Sequence, residues 1–191
     1  MSAQPNLGMK PTQFDNPMGI DGFEFVEFAA ADGRLLHELF KRMGFSAVAR
    51  HRSRAITLYR QGGVNFLVNE DPGSFAADFV SAHGPCACGF AIRVQKPASW
   101  VAGQAVANGG AYVDHKADTR AVDTPVIKGI GDCMLYLVDR YGDKGDVYGD
   151  FEPIAGAEQN PKGFGLTFID HLTHNLYFGN MQKWSDYYER L

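Results

Sequence analysis

The run Asp170-His171-Leu172-Thr173-His174-Asn175 is the sharpest chemical constellation in the chain. Imidazole and carboxylate are donors that divalent transition metals accept. Two histidines three residues apart share a metal on a helix, where positions i and i+3 are neighbours. On a strand they do not, because alternation places His171, Thr173 and Asn175 on one face and His174 on the other. The strand reading leaves one histidine for any given site. His171 is then either a ligand or a hydrogen-bonded sheet histidine, and His174 a surface one.

The other polar clusters are plainer. His37 falls inside a helical stretch and is expected to be partly exposed. His51 lies among Arg50, Arg52 and Arg54, a cationic strand edge that water solvates or an anion meets. His83 and His115 fall at element ends. Asp139, Asp143, Asp146 and Asp150 lack the alternating spacing, the glycine and the closing Glu of a calcium loop. Lys128-Gly129-Ile130-Gly131-Asp132 falls between strands and opens no helix, so it is a poor phosphate cradle. No G-x-S-x-G or H-E-x-x-H occurs. Cys133 opens a strand and reads as core.

The elements that must position these residues repeat. Gly19 to Ala30 is aromatic and β-branched with near alternation, a strand. Asp32 is placed to cap a helix running to about Met43, with Leu35, Leu36, Leu39, Phe40 and Met43 on one face and Gly44 as its stop. Strands over 46–51, 55–60 and 64–69 follow, with Gly62-Gly63 as a turn. A short helix is expected over 72–83, begun at Pro72. Then come a strand over 86–95, an Ala-rich helix over 97–108, and strands near 111–115, 122–130 and 133–139. The order is strand, helix, three strands, twice over. Residues 141–165 are rich in Gly, Asp and Pro and read as a linker. After it Ile169-Asp170-His171 lies on Ile20-Asp21-Gly22, and a second strand–helix pair follows, capped near Asn180. Such internal repetition sets the architecture. It divides the chain into an arm (1–17), a barrel of two modules (18–83 and 84–140), the linker, and the start of a second barrel (166–191). A lone strand and helix cannot bury their apolar faces. Tyr177, Phe178, Trp184, Tyr187 and Tyr188 therefore need a sheet, and the expectation is that the chain is the front part of a longer protein.

Composition narrows the class. In 191 residues, 18 basic and 22 acidic side chains leave a net charge of −4, with no basic stripe to neutralise phosphates, which argues against nucleic acid. No apolar run approaches a membrane span, and the polar, Pro-broken start is not a signal peptide. Three cysteines, an odd count without a C-x-x-C, argue against a disulfide framework or a zinc finger. A cytoplasmic location is expected. The 14 Phe, 8 Tyr and 2 Trp exceed what a domain of this size ordinarily carries.

Three segments carry a family resemblance. Gly131-Asp132-Cys133-Met134-Leu135-Tyr136-Leu137-Val138-Asp139-Arg140-Tyr141-Gly142, Ile169-Asp170-His171-Leu172-Thr173-His174-Asn175 and Gly19-Ile20-Asp21-Gly22-Phe23-Glu24-Phe25-Val26-Glu27-Phe28 resemble, in order, segments of bacterial 4-hydroxyphenylpyruvate dioxygenases. The resemblance runs from about Asn16 to Leu191. It implies an α+β fold of the vicinal oxygen chelate superfamily, built from βαβββ modules paired into open barrels. The first barrel is structural, and the second holds Fe(II) through two His and one Glu. Of those ligands only His171 has a counterpart here, with Thr173 beside it as a substrate neighbour. Gly22 occupies the His171 position in the first repeat and cannot ligate. The family converts 4-hydroxyphenylpyruvate and O₂ to homogentisate and CO₂ in tyrosine and phenylalanine breakdown, and often forms homo-oligomers. By this resemblance the chain is the non-catalytic front portion, inactive alone. The alternatives are a 4-hydroxymandelate synthase, or a metal-free ligand-binding module of the same superfamily.

Overall fold

The computed structural model describes residues 15–113 and 120–191. Most of the expected arm, and His115, lie outside them. One eight-stranded mixed sheet organises the fold, with strands in chain order β1 (Ile20–Ala29), β2 (Ser46–His51), β3 (Ile56–Gln61), β4 (Val64–Asn69), β5 (Cys86–Val94), β6 (Val126–Lys128), β7 (Met134–Val138) and β8 (Phe151–Pro153), arranged in space as β6-β7-β5-β1-β4-β3-β2-β8. Its centre is β1 (Ile20–Ala29), which pairs antiparallel with β5 (Cys86–Val94) and parallel with β4 (Val64–Asn69). The first module is β1, the helix α1 (Arg34–Arg42), then β2 (Ser46–His51), β3 (Ile56–Gln61) and β4. A second helix, α2 (Phe75–His83), leads to β5; then come α3 (Ala98–Ala107), β6 (Val126–Lys128) and β7 (Met134–Val138), with β7 parallel to β5 as β4 is to β1. The two halves of the sheet meet back to back across the β1–β5 pair.

The sheet curls around one core. Val126 from β6 and Phe151 from the opposite end of the sheet share a cluster with Phe25, Val48, Leu58, Leu67 and Tyr136. Helices cover the outer face, where Val26, Phe90, Leu135 and Leu137 pack against Val101 and Ala105 of α3. A register shift between Phe23 and Phe25 interrupts the β1 alternation. Phe23 therefore packs on the outer face with Val26 and Phe28, while Phe25 points into the barrel. Simple alternation would place Phe23 on the same face as Phe25.

Several element expectations are corrected. The N-cap of α1 is Gly33, not Asp32. The Asp32 carboxylate instead accepts from the backbone and side chain of Arg34, and the Gly33 N–H donates to Glu70 Oε1 at 2.9 Å. Of the expected apolar face of α1, Phe40 is buried and Leu36 half-buried, whereas Leu35 is 76% exposed and Leu39 and Met43 are also open. The α2 helix starts at Phe75, because the Ser74 hydroxyl, not Pro72, caps it by accepting from Ala77. In the second module the expected strand over 122–130 shortens to β6, and that over 111–115 leaves a single bridge, Tyr112 to Ile127. Ala121 and Val122 turn into the core instead of pairing, Pro125 has no N–H for a ladder, and the Thr124 hydroxyl takes the Leu137 carbonyl.

The segment read as a linker is part of the barrel. Residues 151–153 form β8 (Phe151–Pro153), antiparallel to β2, and Val147, Tyr148 and Phe151 are buried in the core. Its Gly and Asp content hid three apolar anchors spaced to reach one interior.

The expected strand over 169–177 does not form. No strand lies alongside that stretch among the described residues, and a strand exists only through its neighbour's hydrogen bonds. The helix after it does form, as α4 (Met181–Arg190). It docks on the second module: Tyr187 donates to the Lys128 carbonyl at 2.6 Å, the Ile130 N–H donates to Tyr188 at 3.0 Å, and Arg190 donates to the Asn108 carbonyl at 2.8 Å. Tyr177 and Phe178 remain exposed.

Gly44 ends α1 at φ +87°, and a Cβ there would lie 2.8 Å from the Phe164 ring. Gly44→Ala is expected to cost about 1–3 kcal/mol, from the left-handed backbone and the displaced ring. A urea unfolding midpoint measures it, and an unchanged midpoint would refute the account.

Candidate functional site

The segment 166–176 runs along the outer face of the barrel, where Ile169 touches the clusters of both α1 and α3 and residues 172–176 line a cavity with Phe79 and His83 of α2. It is tied down at its start by the Gly63 N–H donating to the Thr167 carbonyl at 2.9 Å and by Gln61 Oε1 accepting from the Phe164 and Leu166 N–H groups. Ile169 and Leu172 anchor it on the outer clusters. These apolar anchors hold the intervening polar side chains outward. The His171 side chain is 74% exposed, with Nδ1 3.0 Å from Asp170 Oδ1. The contact holds the Asp170 carboxyl below the usual carboxylate range. It engages one ring nitrogen and leaves Nε2 outward.

Thr173 and His174 line a cavity of about 570 Å³ with Val26, Phe90, Phe79 and Cys133; His171 is not among its walls. His174 is exposed, as expected, and its ring lies 5.7 Å from that of Phe90 and 6.1 Å from that of Tyr188, the latter stacked. Burial against these rings lowers its pKa. The two-residue alternation that separated His171 from His174 does not apply to an unpaired segment, so His174 is placed by the aromatic rings beneath it. Among the described residues no three His, Cys, Asp or Glu side chains converge in a way that could hold a metal.

The interior of the barrel contains carboxylates, and each is saturated by protein. Glu27 on β1 is 0% exposed. Its Oε1 accepts from Asn69 and its Oε2 from the Tyr136 hydroxyl, both at 2.7 Å. Burial is the main cause that raises the Glu27 pKa, and the same burial with the adjacent carboxylate holds the Tyr136 phenol well above its ordinary value. Glu24 accepts from Arg93 Nε at 2.5 Å, from Tyr148 at 2.9 Å and from Asn65 at 3.3 Å. At Gly22 the φ is +86° and a Cβ would meet nothing. These carboxylates thus belong to polar networks of protein groups, and Glu24, Asn65, Arg93 and Tyr148 also line a cavity of about 320 Å³. Sequence reading missed this network, although its signal was present: two Glu inside an otherwise aromatic strand, Phe23-Glu24-Phe25-Val26-Glu27-Phe28, on an element both of whose faces are covered. Cys133 is core, as expected, and burial pushes its thiol up to about 12.

The family described as "Hydroxyphenylpyruvate dioxygenase, HPPD, N-terminal" matches residues 14–152. A 4-hydroxyphenylpyruvate dioxygenase of Pseudomonas aeruginosa is 45% identical over 179 residues, 92% of this chain and 50% of that protein. Among solved structures, a xylose isomerase-like TIM barrel/4-hydroxyphenylpyruvate dioxygenase fusion protein superposes with a TM-score of 0.79 at 31% identity, over 95% of this chain and 29% of the fusion. A triple mutant of 4-hydroxymandelate synthase from Streptomyces coelicolor superposes with a TM-score of 0.67 at 22% identity, over 91% of this chain and 52% of the synthase. The chain spans about half the length of the curated relatives it matches. The fold is the α+β vicinal oxygen chelate fold with an open sheet, as the family resemblance implies.

Proposed function

Because the chain belongs to the hydroxyphenylpyruvate dioxygenase family through that family's N-terminal domain, we propose that it supplies the structural barrel and the first iron-ligating segment of a 4-hydroxyphenylpyruvate dioxygenase. That enzyme would convert 4-hydroxyphenylpyruvate and O₂ to homogentisate and CO₂. The observation that carries the reading is the family match over 14–152. The saturated interior of the barrel agrees with a structural role for it, since both carboxylates there already have protein partners. The likeness to 4-hydroxymandelate synthase, at 22% identity, is one of fold, and the 45% identity to a dioxygenase favours the dioxygenase reading.

In this reading His171 is an iron ligand and Thr173 borders the substrate. Fe(II), when bound, supplies open coordination positions for the keto acid and for O₂. The chain's own part is to hold the His171 ring. Asp170 takes the Nδ1 side and directs Nε2 outward as a donor. Ile169 and Leu172, seated on the barrel, fix the backbone on either side. Thr173 places a hydroxyl at the rim of the apolar cavity lined by Phe90 and Tyr177. A cytoplasmic homo-oligomer is part of the same reading. Among the described residues no helix is long and apolar enough to cross a membrane.

Two measurements test this. Titrated alone with Fe(II) under anaerobic calorimetry, the chain is expected to bind weakly, because one imidazole is not a site. Tight 1:1 binding would refute the ligand assignment. Joined to the second half of its Pseudomonas aeruginosa relative and loaded with Fe(II), it is expected to consume O₂ and release homogentisate. An iron-loaded protein that releases hydroxymandelate, or that leaves the keto acid untouched, would overturn the proposal.

A further inference from the structure

Between α1 and the outer face of β2–β3 lies a second cavity, of about 430 Å³, within the range of small-ligand sites. Its walls carry Lys41 from α1, Arg50 and His51 from β2, Arg54 from the β2–β3 turn, and Tyr59 and Glu70. The family match gives this place no role.

The charges do not cancel. Glu70 is already committed: its Oε1 accepts from the Gly33 N–H at 2.9 Å and its Oε2 lies 2.8 Å from His37 Nε2. His37 in turn lies 2.9 Å from the Tyr59 hydroxyl. Arg54, mostly buried, has Nε 3.9 Å from Asp71 and donates from its terminal nitrogen to the Arg120 carbonyl. Lys41 and Arg50 are exposed, and neither side chain makes an ion pair or a hydrogen bond among the described residues. Arg52, beside them in sequence, pairs with Glu152 at 3.5 Å and does not face the cavity. Two uncompensated cations on facing elements thus line one concavity, above a floor that includes a phenol. Such a field concentrates anions, and charge-assisted hydrogen bonds from guanidinium and ammonium to an oxyanion are the strong kind.

We propose that this cavity is a binding site for a small oxyanion, the carboxylate or phosphate group of a metabolite, held between Lys41 and Arg50 and steered by Arg54. The Arg50 fork suits bidentate contact with either group, and Lys41 supplies a point charge from the opposite wall. The site is separate from the segment around His171, so its existence does not depend on the dioxygenase reading.

The test is titration of the chain at constant ionic strength, followed by calorimetry and by amide shifts, with inorganic phosphate in one arm and phenylacetate in the other. Saturable 1:1 binding in either arm, weakened at least about tenfold in Lys41→Ala/Arg50→Ala and unchanged in Arg52→Ala, is the expected result. The arm that binds more tightly identifies the oxyanion. Both replaced side chains are exposed, so the double variant is expected to keep the parent's unfolding midpoint. Arg50→Lys, which keeps the charge and loses the fork, should weaken binding by less than the double variant does. No saturable binding of either probe, or binding that the double variant leaves unchanged, would overturn the proposal.

Discussion

Glu27→Ala is expected to lower the unfolding free energy by about 3–5 kcal/mol, the usual cost of removing one partner from a buried charged or strongly hydrogen-bonded network. The carboxyl is fully buried and is the acceptor for both Asn69 and Tyr136. Alanine leaves the Asn69 amide without that acceptor and the Tyr136 hydroxyl without its own, in a cavity closed to water. Glu27→Gln keeps the shape, accepts from Asn69 and donates to the Tyr136 oxygen, and is expected to cost about 1 kcal/mol or less. The two variants also separate with pH. Burial raises the folded-state pKa of Glu27 above the ordinary carboxyl value of 4.5. Folded protein therefore holds this proton where unfolded chain has released it. The stabilisation is complete below about pH 4.5 and declines as pH rises from there through the folded-state pKa. Glutamine has no such decline. The stability of Glu27→Gln relative to the parent should therefore improve as pH rises above that point. Urea unfolding of the parent and both variants at several pH values checks this. Equal costs for Ala and Gln, or a Gln difference flat with pH, would defeat it.

The second large effect is functional and rests on the proposed role of His171. In the chain joined to its relative's second half, His171→Ala is expected to reduce bound iron and to lower homogentisate production by about 100-fold or more. Loss of an orienting partner alone typically costs 10–100-fold, and here the ligand itself goes. Asp170→Asn, which weakens the hold on Nδ1, should fall between the parent and that variant. Because the His171 side chain is 74% exposed, the unfolding free energy of His171→Ala should stay within about 0.5 kcal/mol of the parent. A variant that keeps full iron and turnover would remove His171 from the ligand set. A variant that unfolds would instead mark it as structural.

The strands that could be read directly were those whose apolar residues serve local pairing. The bounds of β2 and β4 agree with the sequence reading, and β3 and β5 agree to within a residue. The β-branched and aromatic runs of β3 and β4 flank Gly62-Gly63, and that two-residue turn sets the hairpin register with Gln61 opposite Val64. Less legible were elements that exist only through distant partners. The β8 strand has three residues and a Pro, and nothing local marks it; it forms because β2 offers a free edge. The 169–177 segment has strand composition but no adjacent strand among the described residues, so composition alone did not make it one.

The same division holds for the candidate sites. The residue types, the internal repeat and the family resemblance marked His171 and, through Gly22, a first barrel without a metal ligand at that position. They were properties of local pattern, which a chain carries before it folds. Tertiary structure decided that Glu27, Asn69 and Tyr136 meet, because β1, β4 and β7 bring residues 27, 69 and 136 into one interior. It also decided that Lys41 and Arg50 face one cavity while Arg52 turns away to Glu152. The physical reason is that hydrogen bonds and charge pairs act over a few ångströms of space. Sequence separation does not limit them, so only the packed sheet determines which polar groups find partners and which remain unpaired.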